Sequence, residues 1–239
     1  MIRKDRGFTL VEIAIVIVVI GFLVGAVSKG QELIRGSQVR RLIADHDGFR
    51  TAIRGFTDRY QRVPGDYGQA SIHIACTPVC LNGNDNRRVE SNAVPVAGSE
   101  VHEELLVWSH LAGAGFIQGN FVMTAGDTVP TLQNSPVNFA QRYWEFIFDG
   151  NFGTVASGTT RHNLKTGNQI PVDIAAQLDL KVDDGLPNTG TFQFSPFAPG
   201  DIAPVGGAAA APACTSAAGA TAVWNVVNGT ANCGAASLL

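Results

Sequence analysis

From Phe8 to Val27 the chain reads FTLVEIAIVIVVIGFLVGAV, twenty positions with one ionisable side chain, Glu12. A run of this length predicts a helix that is apolar on every face. At the rise of an α-helix it extends about 30 Å, the thickness of the hydrocarbon core of a bilayer. Its many valines and isoleucines do not oppose this, because in lipid every backbone group must bond within the segment. The pattern then changes. Across residues 31–60, Val39, Leu42, Phe49, Ile53, Phe56 and Tyr60 recur at helical spacing, with charges mostly on other faces. One helix over 8–60 is therefore predicted, all-apolar first and amphipathic later, able to lay its second half against a globular head. Gly30, Gly36, Gly48 and Gly55 each weaken it by up to roughly 1 kcal/mol relative to alanine, and are candidate bends.

Val63-Pro64-Gly65-Asp66 predicts the end of this stem. Residues 66–98 read mainly as loop. Residues 100–112 predict a helix with Ser99 as N-cap and Glu100, Glu103 and Glu104 in the first turn, closed by Gly113 and Gly115. Strands are predicted at 120–124 and 141–148, with Asp149-Gly150-Asn151 as a turn and 152–156 returning as a hairpin partner. Residues 172–182 predict a short helix ended by Asp183-Asp184-Gly185-Leu186-Pro187. Residues 204–220, rich in Ala, Gly and Pro, read as a flexible loop, and 222–227 as a last strand. A helical spine on a mainly antiparallel sheet is an α+β arrangement.

Charge divides the 239 residues in the same place. Residues 1–60 carry 10 Lys/Arg against 6 Asp/Glu, and residues 61–239 carry 7 against 14. A basic stem thus precedes an acidic body with no basic stripe for DNA, so no nucleic-acid partner is expected. With 45% apolar and 15% charged residues the chain is too apolar for a disordered one.

Three readings compete for the N-terminus: a secretory signal peptide with a small-residue site near Ala26-Val27-Ser28, a plain membrane anchor, and an anchor in which Glu12 has a role. The apolar run exceeds the usual signal-peptide core. A carboxylate at mid-membrane costs about 2.5–3.5 kcal/mol, so Glu12 calls for a cationic partner. The stretch Gly7-Phe8-Thr9-Leu10-Val11-Glu12, behind the short basic leader at residues 1–7, resembles the cleavage and methylation signature of type IV pilins and type II secretion pseudopilins. The resemblance covers roughly residues 3–35. It implies cleavage after Gly7 by a prepilin peptidase, N-methylation of Phe8, and an α+β pilin-like head over 61–239 behind a helix over 8–60 that spans the membrane at 8–27. It also implies an inner-membrane assembly platform, and copies of the chain itself as partners in a pilus or pseudopilus in the periplasm or at the cell surface. The physics agrees: Glu12 of an incoming subunit can pair with the Phe8 ammonium of a neighbour, since a charge pair in lipid costs less than two lone charges. Gly21 and Gly25 form a G-x-x-x-G pair that permits close helix packing. Many major pilins carry a proline in this stretch; here none precedes Pro64, which tilts the reading toward a minor or pseudopilin-like subunit. VPGD at 63–66 and KVDDGLPNTG at 181–190 also look like segments of large bacterial pilin-like proteins, and carry no active site.

Four cysteines in an exported body favour disulfides over zinc, because Cys-x-x-x-Cys without a second close pair is poor zinc spacing. Three pairings are open. Cys76–Cys80 with Cys214–Cys233 is the simplest, and the second of these resembles the C-terminal disulfide loop of many pilins. No metal or cofactor is expected, with calcium as the rival at Asn82–Asn86 or at Asp183 and Asp184, although neither stretch has EF-hand spacing. Five histidines are scattered and no catalytic motif is present, so no enzymatic activity is expected. The reading is a filament subunit. Its alternatives are a low-copy minor or tip subunit acting in adhesion through loops at 76–98 and 196–220, and a secreted enzyme behind an ordinary signal peptide.

Overall fold

The computed structural model describes residues 8–91, 102–124, 126–153, 159–196, 211–216, 219, 221–227 and 231–239. The leader 1–7 with Gly7, the cap Ser99 with Glu100, positions 154–156 of the expected return strand and most of 204–220 lie outside them. The chain divides into two compact units, Met1–Arg40 and Arg41–Leu239.

Helix α1, Leu10–Tyr60, contributes to both units and passes through Gly30, Gly36, Gly48 and Gly55 without interruption. In the first unit it is the only described element, and every residue from Phe8 to Lys29 is exposed. In the second unit it is an amphipathic core helix. Leu42, Ala52, Ile53 and Phe56 are buried, while Phe49 sets its ring edge-on to Trp108 (5.0 Å) and Trp144 (5.3 Å). At Gly55 a Cβ would meet the Phe116 ring at 2.8 Å, so a small residue there permits the packing. The helix ends at Tyr60, as the 8–60 reading expects, and Gln61 closes it: its left-handed backbone (φ 54°) carries its N–H to Thr57 O.

The rest of the second unit adds α2 (Ala70–His73), α3 (Glu103–Gly113), β1 (Glu145–Asp149), β2 (Arg161–Lys165), α4 (Val172–Val182), β3 (Phe192–Phe194), α5 (Ala211–Cys214) and β4 (Ala235–Leu238). The strands form an antiparallel sheet in the order β1-β2-β4-β3. One cross-strand row is Phe146, Leu164, Ser237 and Phe192, and the next is Glu145, Lys165, Ala236 and Gln193. His46 of α1 meets Phe192 edge-on at 6.0 Å, so the first row faces α1. The second row is covered as well: Glu145, Lys165 and Ala236 are all buried.

The α+β layout and α4 match the sequence reading; several other boundaries do not. Helix α3 starts at Glu103 behind His102, and its first turn holds Glu103 and Glu104. Residues 120–124 form no strand. Strand β1 begins only at Glu145, because Gln141 (φ 59°) sits in a turn tied by Asn138, whose Oδ1 accepts from the Ala140 and Arg142 N–H groups. Asp149 closes the strand, whose partner is β2; Phe152 and Gly153, the described part of the expected return strand, are not in a strand. Residues 222–227 are not a strand either. Only Trp224 makes a bridge there, to Thr215, and β4 is the strand that enters the sheet. Within 204–220, residues 211–214 are the short helix α5.

Candidate functional site

The polar feature of the exposed apolar helix is its first turn. Thr9 stands just before α1 and Glu12 is three residues on. The Thr9 N–H donates to Glu12 Oε2 at 2.8 Å, and the Thr9 hydroxyl donates to the same oxygen at 2.9 Å. The Glu12 N–H donates back to Thr9 Oγ1 at 3.3 Å. This reciprocal arrangement is a capping box: each side chain satisfies a backbone donor that the helix start leaves without a partner. The signal was present in the sequence as Thr-x-x-Glu before an apolar run, and the sequence reading missed it. Beside it Phe8 is 83% exposed, available to solvent, lipid or another chain. A Cβ added at Gly21 or Gly25 would meet nothing within 4 Å, so both glycines present open backbone. Of the described helices, α1 is the one long and apolar enough to cross a membrane, and its apolar window has no burial.

Residues 2–28 match the family model described as the prokaryotic N-terminal methylation motif. The chain carries the type IV pilin and pseudopilin signature. No curated protein and no solved structure matches the chain. The pilin motif covers the leader and the apolar part of α1, and it points to a structural, pilin-like precursor.

The head behind the pilin-type helix joins Cys76 to Cys80 and Cys214 to Cys233. The second bridge fastens α5 beside Cys233, which is itself bridged to Ile170.

In the two stretches weighed for calcium, side-chain oxygens accept hydrogen bonds from the fold. Around Asn82–Asn86 the centre is a pair of buried acids from outside the stretch. Asp66 accepts the Asn86 and Arg87 N–H groups, both at 2.8 Å, and Glu103 accepts those of Asn84 (2.9 Å) and Glu90 (3.4 Å). Asn82, Asn84 and Asn86 each accept a backbone N–H through their side-chain oxygens, from Ser71, Asn86 and Arg88. Burial pushes the Glu103 carboxyl up to about 8 and that of Asp66 up to about 6, against the pull of these N–H donors. Nearby, His110 accepts the Gly65 N–H at Nδ1 (3.0 Å) and faces the Leu81 carbonyl with Nε2 (2.8 Å). Both nitrogens are used by the neutral ring, and burial lowers its pKa to about 4.

Asp183 and Asp184 belong with Asp179, their carboxylate oxygens lying within 4.8 Å of one another. Each has a structural task. Asp183 Oδ2 accepts the N–H groups of Thr191 and Phe192, which starts β3. Asp184 accepts the Leu186 N–H (2.8 Å) and the Thr189 hydroxyl. Asp179 accepts the Trp224 indole N–H at 2.7 Å and the Gly185 N–H at 3.3 Å, and burial pushes its carboxyl up to about 7. KVDDGLPNTG is therefore a folding connector between α4 and β3.

Proposed function

We propose that this chain is a structural subunit of a type IV pilus-like filament or type II secretion pseudopilus. Residues 1–7 are its leader, 8–60 its assembly helix and 61–239 its exported head. The supporting observation is the pilin motif on a helix whose leading stretch, residues 10–27, is apolar but for Glu12 and exposed throughout. At about 25 cal/mol per Å² such a surface is stable only in lipid or against like helices. A prepilin peptidase cuts after Gly7 and methylates Phe8. Before assembly the helix rests in the inner membrane with Glu12 held by Thr9. In the filament Glu12 exchanges that local cap for the Phe8 ammonium of a neighbouring copy, and Gly21 and Gly25 admit the neighbour's backbone. The disulfides suit a head exported to an oxidising compartment.

Mass spectrometry of the N-terminus of the protein purified from its native membrane tests this reading. Methylated Phe8 as the first residue is the expected result. A chain beginning at Lys29, or one that keeps residues 1–7 in filaments, overturns it. Electron microscopy with subunit counting separates a filament-forming subunit from a low-copy tip subunit.

A further inference from the structure

The sheet buries a lysine between two acids. Lys165 of β2 has no exposed surface, and its Nζ lies 2.5 Å from Asp149 Oδ2 and 3.2 Å from Glu145 Oε2. The register produces this. Glu145 stands directly opposite Lys165, and Asp149 lies four residues along β1 on the same face. Apolar groups line part of the site: Ile147 lies between the two acids, and Ala236 and Leu238 of the neighbouring β4 pack with Phe152. Asp149 is held from a further direction. Asn163 Nδ2 donates to its Oδ1 at 2.8 Å, the Asn151 N–H donates to the same oxygen at 3.2 Å, and Asn151 Nδ2 donates to Oδ2 at 3.2 Å.

A structural ion pair needs one acid. Here one amine has a carboxyl carbon within reach, a second carboxylate beside it, and N–H donors fixed on the first carboxyl's other oxygen. These are a nucleophile, an electrophile, a proton carrier and an oxyanion site.

We propose that Lys165 and Asp149 condense into an intramolecular amide that ties β2 to β1, with Glu145 as the general acid–base. The Lys165 ammonium passes a proton to Asp149 Oδ2, giving a neutral amine and a neutral acid. The Nζ lone pair attacks Asp149 Cγ, and the C–N bond forms while Oδ1 takes the charge against the Asn163 and Asn151 donors. Glu145 accepts a proton from Nζ and returns it to the Oδ2 hydroxyl. The Cγ–Oδ2 bond breaks, and the pair of reacting groups loses one water with no oxidant or reductant. The side chain of Asp149, 14% exposed, gives that water its exit. Two forces drive the step: the groups are already in place, and a neutral amide replaces two charges in a dry interior.

Tryptic mapping of the full chain, purified in detergent and reduced, tests this. The expected product is a branched peptide joining 143–161 to 162–181, uncut at Lys165 and lighter than its parts by one water. Separate linear peptides 143–161, 162–165 and 166–181 from the folded wild-type chain overturn the proposal. In Glu145→Gln the branched peptide is expected to fall at least tenfold in yield. An undiminished yield in that variant removes Glu145 from the step. The wild-type map decides the cross-link itself even where the variant does not fold.

Discussion

Thr9 and Glu12 hold each other across the first turn of α1, with the Glu12 carboxylate accepting both the Thr9 N–H and its hydroxyl. The one acid in the apolar run is thus occupied before any second subunit arrives. An acid shielded this way enters lipid more cheaply than a bare one, because two donors replace part of its lost hydration.

This pair gives two separable variants. Thr9→Ala removes the cap and costs about 1 kcal/mol of helix stability, read as faster hydrogen exchange at the amides of residues 11–13 in detergent. It leaves Glu12 for intersubunit pairing, so filaments still form. Glu12→Ala removes cap and charge together, and filaments are lost while the melting temperature of the head stays unchanged. Normal filaments from Glu12→Ala would remove the acid from assembly.

The head carries a pH dependence whose sign follows from its buried acids. Glu103 and Asp179 have folded values near 8 and 7, above those of the open chain, so the folded state binds extra protons below them. Stability therefore rises as pH falls from about 8.5 to 6.5. Below 6.5 two effects oppose each other: Asp66, raised to about 6, adds to the rise, while His110 and His162, held near 4 by burial, take up protons more readily when unfolded and subtract from it, so stability continues to climb only gently. Thermal melts across this range check it, and Glu103→Gln removes much of the slope between pH 8.5 and 6.5.

The two disulfides differ in the chain they enclose, with sequence separations of 4 and 19. By loop-closure entropy, replacing both Cys214 and Cys233 by serine costs about 3 kcal/mol, and replacing Cys76 and Cys80 about 2 kcal/mol. Denaturant unfolding of each double variant measures the difference.

Gly190 has φ 69°, and a Cβ there would overlap the Asp183 carboxylate that starts β3. Gly190→Ala is expected to cost roughly 2 kcal/mol or more, through strain and displacement of Asp183. An equal loss in Asp183→Ala, with no further loss in the double variant, would show that both act through the one contact.

Helix α1 was legible because its two hydrophobic periods are long, and α4 because Ile174, Ala175 and Leu178 keep one apolar face. The strands were harder. Strand β2 reads Arg-His-Asn-Leu-Lys, and its Asn163 and Lys165 are inside because Asp149 and Glu145 receive them there. Strand β4 reads Ala-Ala-Ser-Leu, too small to register as a strand, yet its Ser237 sits in the cross-strand row between Leu164 and Phe192. AVWNVV at 222–227 has strand composition, but Trp224 is drawn to Asp179 instead. The acid pair Asp66 and Glu103 was invisible because 37 positions of chain separate two groups that one loop later wraps.

Strand β4 is the last of the four along the chain and occupies an interior slot, between β2 and β3. As the chain emerges N-terminus first, hairpin β1–β2 can zip at once, while β3 has no place to dock until 235–238 has emerged. Chain completion and sheet closure are thereby coupled: a chain halted short of 235–238 stays open at its middle, its β2 and β3 edges exposed to proteases.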